Sequence, residues 1–200
     1  MLDSEAMTQI VDSRPLIVSA TKEEAAYLPD DVPVLITGIG TLAAAIKLTA
    51  LLAEARAEGR TPSRIINIGT AGGLKDGVSG VFEVASVFKH DLDRDVFEDA
   101  TGRGWGEPYE LEKIGPLPAA GLATGDSFIR DSETRARLGH HAELVDMEGV
   151  AFVEAARFFD IPITLIKQVS DSADENAATT WFEVVDRSAK EIAAVVGDYL

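Results

Sequence analysis

Apolar residues fall in short, nearly unbroken runs along this chain, and the runs alternate with stretches of helical spacing. "PLIVSA" (15–20), "PVLITGIG" (33–40), "RIINIG" (64–69) and "VFEVASVF" (81–88) read as strands. So do "AAGLATG" (119–125), "ELVDM" (143–147) and "IPITLIKQV" (161–169). Near-continuous apolar runs of this length belong to strands covered on both faces. Between them, "LAAAIKLTALLAEARA" (42–57) is alanine-rich with Leu and Ile three and four apart, and reads as a helix. "DSETRARLG" (131–139) has an Asp/Ser start and a Gly stop. "EGVAFVEAARFF" (148–159) and "WFEVVDRSAKEIAAVVGDYL" (181–200) are two further helices. Strand–helix alternation predicts an α/β fold on a mostly parallel sheet. Residues 1–14 read as a polar tail and 15–200 as a single domain. The irregular part, 90–117, is rich in charge, glycine and aromatics, the composition of a functional loop or interface segment.

Composition narrows the function. The chain has 200 residues, 46% hydrophobic and 26% charged, which is globular composition. No apolar stretch reaches the roughly 18 residues of a membrane span, and no basic-then-apolar leader opens the chain. There is no cysteine, which excludes disulfides, thiolate zinc and thiol nucleophiles and fits a cytoplasmic protein. The net charge is −16 with no basic stripe, so nucleic acid is not the expected partner. The expected ligand is small, and neutral or cationic.

In open α/β sheets ligands sit beyond the carboxyl ends of the strands, so the segments after each strand carry the chemistry. "GIGTLA" (38–43) matches the G-x-G-x-x-A dinucleotide pattern, but the next strand ends in "GTAGG" without the ribose-binding acid. Gly38 and Gly40 are then explained by a tight turn and close helix packing. "GTAGG" (69–73) reads as a flexible loop whose N–H groups can face a polar ligand; it lacks the Lys-Ser/Thr of a phosphate loop. "TKEE" (21–24) puts Glu23 and Glu24 past the first strand, as a general base or as acids in a helix's first turn. "VDMEG" (145–149) pairs Asp146 and Glu148 around Met147, which suits a ribose or a helix cap. "HDLD" (90–93) has metal-ligand residue types but no second histidine at helical spacing. "SDSAD" (170–174) puts a serine and an aspartate at the mouth of a buried strand, where a carboxyl in a low-dielectric pocket can serve as an acid.

As an ordered set, "A-x-x-E-E", "GIG-x-x-AA", "IIN-x-G-x-AGGL", "GD-x-FI", "MEG-x-A" and "SD-x-AD" resemble the purine nucleoside phosphorylase/uridine phosphorylase superfamily. The set is most similar to its hydrolytic branch, the 5′-methylthioadenosine/S-adenosylhomocysteine nucleosidases. The resemblance implies a three-layer αβα fold with a central mixed, mostly parallel, twisted sheet. It implies hydrolysis of the N-ribosidic bond of an adenine nucleoside, without cofactor or metal, in a homodimer. Asp171 matches the acid that protonates purine N7, Ser170 the residue that orients it, and Glu24 the base that activates water. Glu148 and Met147 match the ribose pair, and Phe128 and Ile129 the purine stack and the backbone contact to the base. Thr70 stands where serine is usual beside the ribose. Trp181 matches an aromatic lining the pocket for the 5′ substituent, and Phe97 one lent to the neighbouring subunit.

The chemistry agrees with those positions. Breaking an N-ribosidic bond passes through an oxocarbenium-like sugar, which needs an acid on the base, a base on water and anionic groups near the ribose. The departures from the pattern are the short "YLPDDV" segment, Thr21 where a methionine contact is frequent, and Lys167 where arginine is usual. They leave the 5′ substituent open among methylthio, homocysteinyl, deoxy and aminofutalosine-type nucleosides. The alternatives are a phosphate-dependent phosphorylase and a non-catalytic purine-binding relative. The phosphorylases carry arginines in the glycine loops, and "GIGTLAA" and "GTAGGL" have none.

Overall fold

The computed structural model describes residues 8–92, 107–175 and 177–200, without the side chains of 178–182. Within them the chain runs β1 (Leu16–Ser19), β2 (Val34–Ile36), α1 (Thr41–Ala57), β3 (Ile65–Gly73), β4 (Val81–Lys89) and β5 (Tyr109–Glu110). It continues through β6 (Ala119–Thr124), α2 (Ser132–Gly139), β7 (Leu144–Asp146), α3 (Gly149–Phe158), β8 (Ile163–Asp171) and α4 (Ala177–Val196). A 3₁₀ turn, Gly197–Tyr199, follows.

The sheet is mixed and mostly parallel. β2, β1 and β3 are parallel neighbours, and β8 lies parallel to β3 along its length. β4, β6 and β7 form a second parallel run. Antiparallel contacts join β3 to β7, β4 to β8 and β4 to β5. β8 therefore has a partner on each side, β3 on one and the start of β4 on the other.

Period-two alternation along the strands sorts side chains onto two faces. Leu16, Val18, Ile65 and Leu165 join Ala44, Leu48 and Leu52 of α1 and Phe152 of α3 in one core. Ile17, Ile66, Ile68 and Ile166 join Ile192 and Val196 of α4 in another. Both faces are covered, as the unbroken apolar runs require, and the result is three layers. Each buried Leu, Ile or Phe contributes about 1.5–3 kcal/mol relative to exposure. At the end of the sheet near the α4 core, buried Glu83 accepts hydrogen bonds from the N–H groups of Ile114 (2.6 Å) and Gly115 (3.0 Å) and from the Tyr199 hydroxyl (2.9 Å). Burial and the Glu83 bond push the Tyr199 phenol up to about 12. Among the described residues no helix is long and apolar enough to cross a membrane.

Three expectations change. "GTAGG" is not a loop: β3 runs on to Gly73, because Gly72 and Gly73 pair with Val145 and Leu144 of β7 while β8 continues alongside. β8 likewise continues to Asp171, and α4 begins at Ala177, earlier than the aromatic run suggested. The polar tail does not extend to residue 14. Ile10 is 2% exposed, the Thr8 hydroxyl donates to the Val34 carbonyl at 2.6 Å, and the Ser13 N–H donates to the Thr61 carbonyl. A single apolar residue among polar ones gave no periodic signal, yet it reaches the α1 core. Ile10→Ala is accordingly expected to cost about 2–5 kcal/mol in urea unfolding; a change near zero would return this segment to a tail.

Candidate active site

The carboxyl ends of β1, β3, β7 and β8 converge on a cavity of about 310 Å³. Glu24, Thr70, Met147, Glu148, Ser170 and Asp171 line it, with Phe128 and Ile129. Eight residues predicted from separate motifs thus meet at one place. Phe97 lies outside the described residues. Trp181 lies in α4, with its side chain outside the description.

Glu24 reaches the cavity on a run of turns after β1, not on a helix. Thr21 and Glu24 hold each other reciprocally. The Glu24 N–H donates to Thr21 Oγ1 (3.3 Å), and the Thr21 N–H (3.3 Å) and hydroxyl (3.2 Å) donate to Glu24 Oε2. This is a capping box that ends in a turn instead of a helix. The Thr70 N–H and hydroxyl donate to Glu24 Oε1 at 2.7 and 2.8 Å, fastening the carboxylate to β3.

The two acids of "VDMEG" part company. Asp146 is the helix cap: its Oδ2 accepts from the Gly149 N–H (2.9 Å) and its Oδ1 from the Thr124 hydroxyl (2.6 Å). Its Oδ2 also meets the ammonium of Lys167 at 2.9 Å, with side chains 1% and 2% exposed. Glu148 instead turns toward α1, where its Oε1 accepts from the Gly40 N–H at 2.8 Å. Burial, then the charge of Asp146, push the Glu148 carboxyl up to about 7 against the opposing pull of Lys167. Burial works to lower Lys167, but Asp146, Glu148 and Glu24 outweigh it and raise the ammonium above its ordinary value. Lys167, read from sequence only as a replacement for arginine, is therefore the cation beneath the acids. A buried-strand pattern, "IPITLI", running straight into a lysine was the available signal.

Asp171 is aimed by a bulge. Ala71 pairs with Val169 and Gly72 with Asp171, so Ser170 is the extra residue. The Ser170 hydroxyl donates to Asp171 Oδ2 (2.7 Å) and the Ala173 N–H to Oδ1 (2.8 Å). Ala173 takes a left-handed φ of 49° to deliver that N–H. Gly72 leaves room opposite: a Cβ there would lie 3.2 Å from Asp171 Oδ1 and 3.0 Å from the Ala173 methyl, so these neighbours would have to shift. The deep burial expected for Asp171 is found at Glu148; Asp171 is half-buried.

The glycine turn before α1 is occupied by the chain's own acids. Gly40, at φ 99°, takes a conformation open to glycine, and its N–H goes to Glu148. The Thr41 N–H and hydroxyl go to Asp126 at 2.7 and 2.5 Å. Asp126, from "GDSFI", is a cap supplied from 85 positions away, which local sequence does not reveal. Its N–H is held in turn by Asp91 (2.9 Å).

The raised Glu148 carboxyl gives stability a pH slope. The folded chain holds this proton up to about 7, while an open chain gives it up near 4.5. Between those values the native state binds more protons, so stability falls as pH rises and levels off above the upper one. Unfolding midpoints of wild type and Glu148→Gln across this window should differ by loss of that slope in the variant; parallel slopes would refute it.

A profile described as the phosphorylase superfamily matches residues 26–200, starting two positions after Glu24. A 5′-methylthioadenosine/S-adenosylhomocysteine nucleosidase of an Exiguobacterium species is 34% identical over 189 residues, covering 82% of this chain and 79% of that protein. The nucleosidase of the same name from Haemophilus influenzae is 29% identical, covering 90% and 85%. Among solved structures, a futalosine hydrolase mutant of Helicobacter pylori superposes with a TM-score of 0.78 at 20% identity, covering 94% of this chain and 98% of that one. The Streptococcus pneumoniae methylthioadenosine/adenosylhomocysteine nucleosidase with a transition-state inhibitor gives 0.75 at 24%, covering 92% and 96%. The fold, the ordered motifs and the span of these matches agree: the chain belongs to the phosphorylase superfamily.

Proposed function

We propose that this protein hydrolyses the N-ribosidic bond of an adenine nucleoside of the 5′-methylthioadenosine or S-adenosylhomocysteine type, releasing free base and the ribose moiety. The observation that carries the reading is the convergence of Glu24, Glu148 and Asp171 on one cavity with Phe128 and Met147. Sequence similarity to named nucleosidases supports it. In this reading Phe128 stacks on the adenine, and the backbone at Ile129 meets the edge of the base. Asp171, oriented by Ser170, delivers a proton to N7 and turns the base into a neutral leaving group. Glu148 takes ribose hydroxyls while Met147 packs on the apolar face of the sugar. Thr70 and Glu24 hold the attacking water, and Glu24 takes its proton. Trp181 lines the 5′ pocket. No cofactor and no metal take part.

Water is favoured over phosphate because the N–H groups of the α1 turn, an anion site in other proteins, are already bound to Glu148 and Asp126. Adenine should therefore be released from methylthioadenosine in phosphate-free buffer. Strict dependence on phosphate would move the protein to the phosphorolytic branch. Asp171→Asn keeps shape and removes the acid, and is expected to lower kcat by about 100- to 10,000-fold; an unchanged rate in free-base assays would overturn the assignment.

The same reading places the protein in the cytoplasm, in nucleoside metabolism, and with methylthioadenosine as substrate in methionine salvage. It also makes the protein a homodimer in which Phe97 reaches the neighbouring site. Ile39 in the cavity lining and Leu42 and Ile46 on the first turns of α1 are 58%, 71% and 59% exposed, an apolar stripe suited to a second copy. Leu42→Glu should shift the mass seen by light scattering from dimer to monomer; a monomeric wild type would refute this.

A further inference from the structure

Donors crowd the Glu24 carboxylate unevenly. A carboxylate offers about four lone-pair sites. Oε1 is filled by the two short bonds from Thr70, at 2.7 and 2.8 Å. Oε2 has only longer contacts: the Ser19 hydroxyl at 3.2 Å, the Thr21 N–H at 3.3 Å and the Thr21 hydroxyl at 3.2 Å. The single Ser19 proton also has a second acceptor, the Thr21 carbonyl, at the same 3.2 Å. Thr21 is thus the main partner of Oε2, and it also accepts from the Glu24 N–H. Thr21 and Glu24 both line the cavity.

We propose that Thr21 is a positioning residue for the hydrolytic step, holding Glu24 so that Oε2 receives the proton of the attacking water. The inference rests on the reading of Glu24 as the base. In the step, one O–H bond of water breaks and its proton passes to Oε2. The oxygen bonds to the anomeric carbon, and the C–N bond breaks with its electron pair going to the base, which takes the Asp171 proton. The Thr21 hydroxyl donates to Oε2 while the carboxylate is charged. When the proton arrives, the hydroxyl rotates and accepts from the new O–H. It neither gains nor loses a proton. A hydroxyl can reverse in this way and a backbone N–H cannot.

Thr21→Val keeps the shape and removes the hydroxyl; Thr21→Ser keeps the hydroxyl. With methylthioadenosine as substrate, Thr21→Val is expected to lower kcat about tenfold with KM within about twofold, since the bond acts on a charged group. Thr21→Ser is expected to restore kcat. A wild-type kcat in Thr21→Val, or a loss that serine does not restore, would overturn the proposal. Glu24→Gln, measured in parallel, separates the two claims. If it turns over at the wild-type rate, the base assignment falls and takes this one with it. An inactive Glu24→Gln beside a fully active Thr21→Val overturns the positioning role alone.

Discussion

One buried ammonium makes the cluster of acids tolerable. Taking Lys167 and Asp146 out of water costs several kcal/mol for each ion, and only close pairing offsets it. At 2.9 Å the pair supplies that, and the Asp146 oxygens are further satisfied by Thr124 and Gly149. The pair thereby ties β8, β6, β7 and α3 together beneath the cavity. Gly69 lets it approach Glu24 as well, since a Cβ there would lie 3.2 Å from Glu24 Oε1 and 3.4 Å from Lys167 Nζ. The same cation moderates Glu148, which burial and Asp146 push the other way. Without it, Asp146 and Glu148 would face each other with no compensating charge.

The order of elements was legible because both faces of the sheet are covered, which leaves unbroken apolar runs that local pattern detects. The residues of the candidate site were legible because they stand at or near strand ends beside glycines and acids. What local pattern missed is long-range. Asp126 caps a helix that begins far back in the chain, and Ile10 fills a core from within a polar stretch. "GTAGG" looked like a loop because glycine is a poor strand former, but its backbone pairs on both sides once β7 and β8 arrive. The separate fates of Asp146 and Glu148 were invisible for the same reason. Both acids line the cavity, and the positions of Lys167 and Gly40 decide which one pairs with the buried cation and which one turns toward α1.

Two kinds of local geometry do the aiming. At Asp171 a bulge at Ser170 and a left-handed Ala173 turn the last strand residue inward. Such strain persists only where surrounding structure over-determines it, and it gathers at functional sites. At Glu24 a capping box that never becomes a helix holds the carboxylate through short-range bonds, and Thr70 of β3 and Ser19 of β1 link it to the sheet.

The double pairing of β8 divides the cavity into two mechanical regimes. Opening β8 means breaking its ladder to β3, and at its middle its ladder to β4 as well, so its amides should exchange with solvent only through near-global unfolding. The segment carrying Phe128 belongs to no strand or helix; side-chain bonds from Asp91 and Glu175 hold its flanks. It can open at a small fraction of that free energy. The wall that carries Asp171 is thus the firmer of the two, and the wall that carries Phe128 is the one that local opening reaches first.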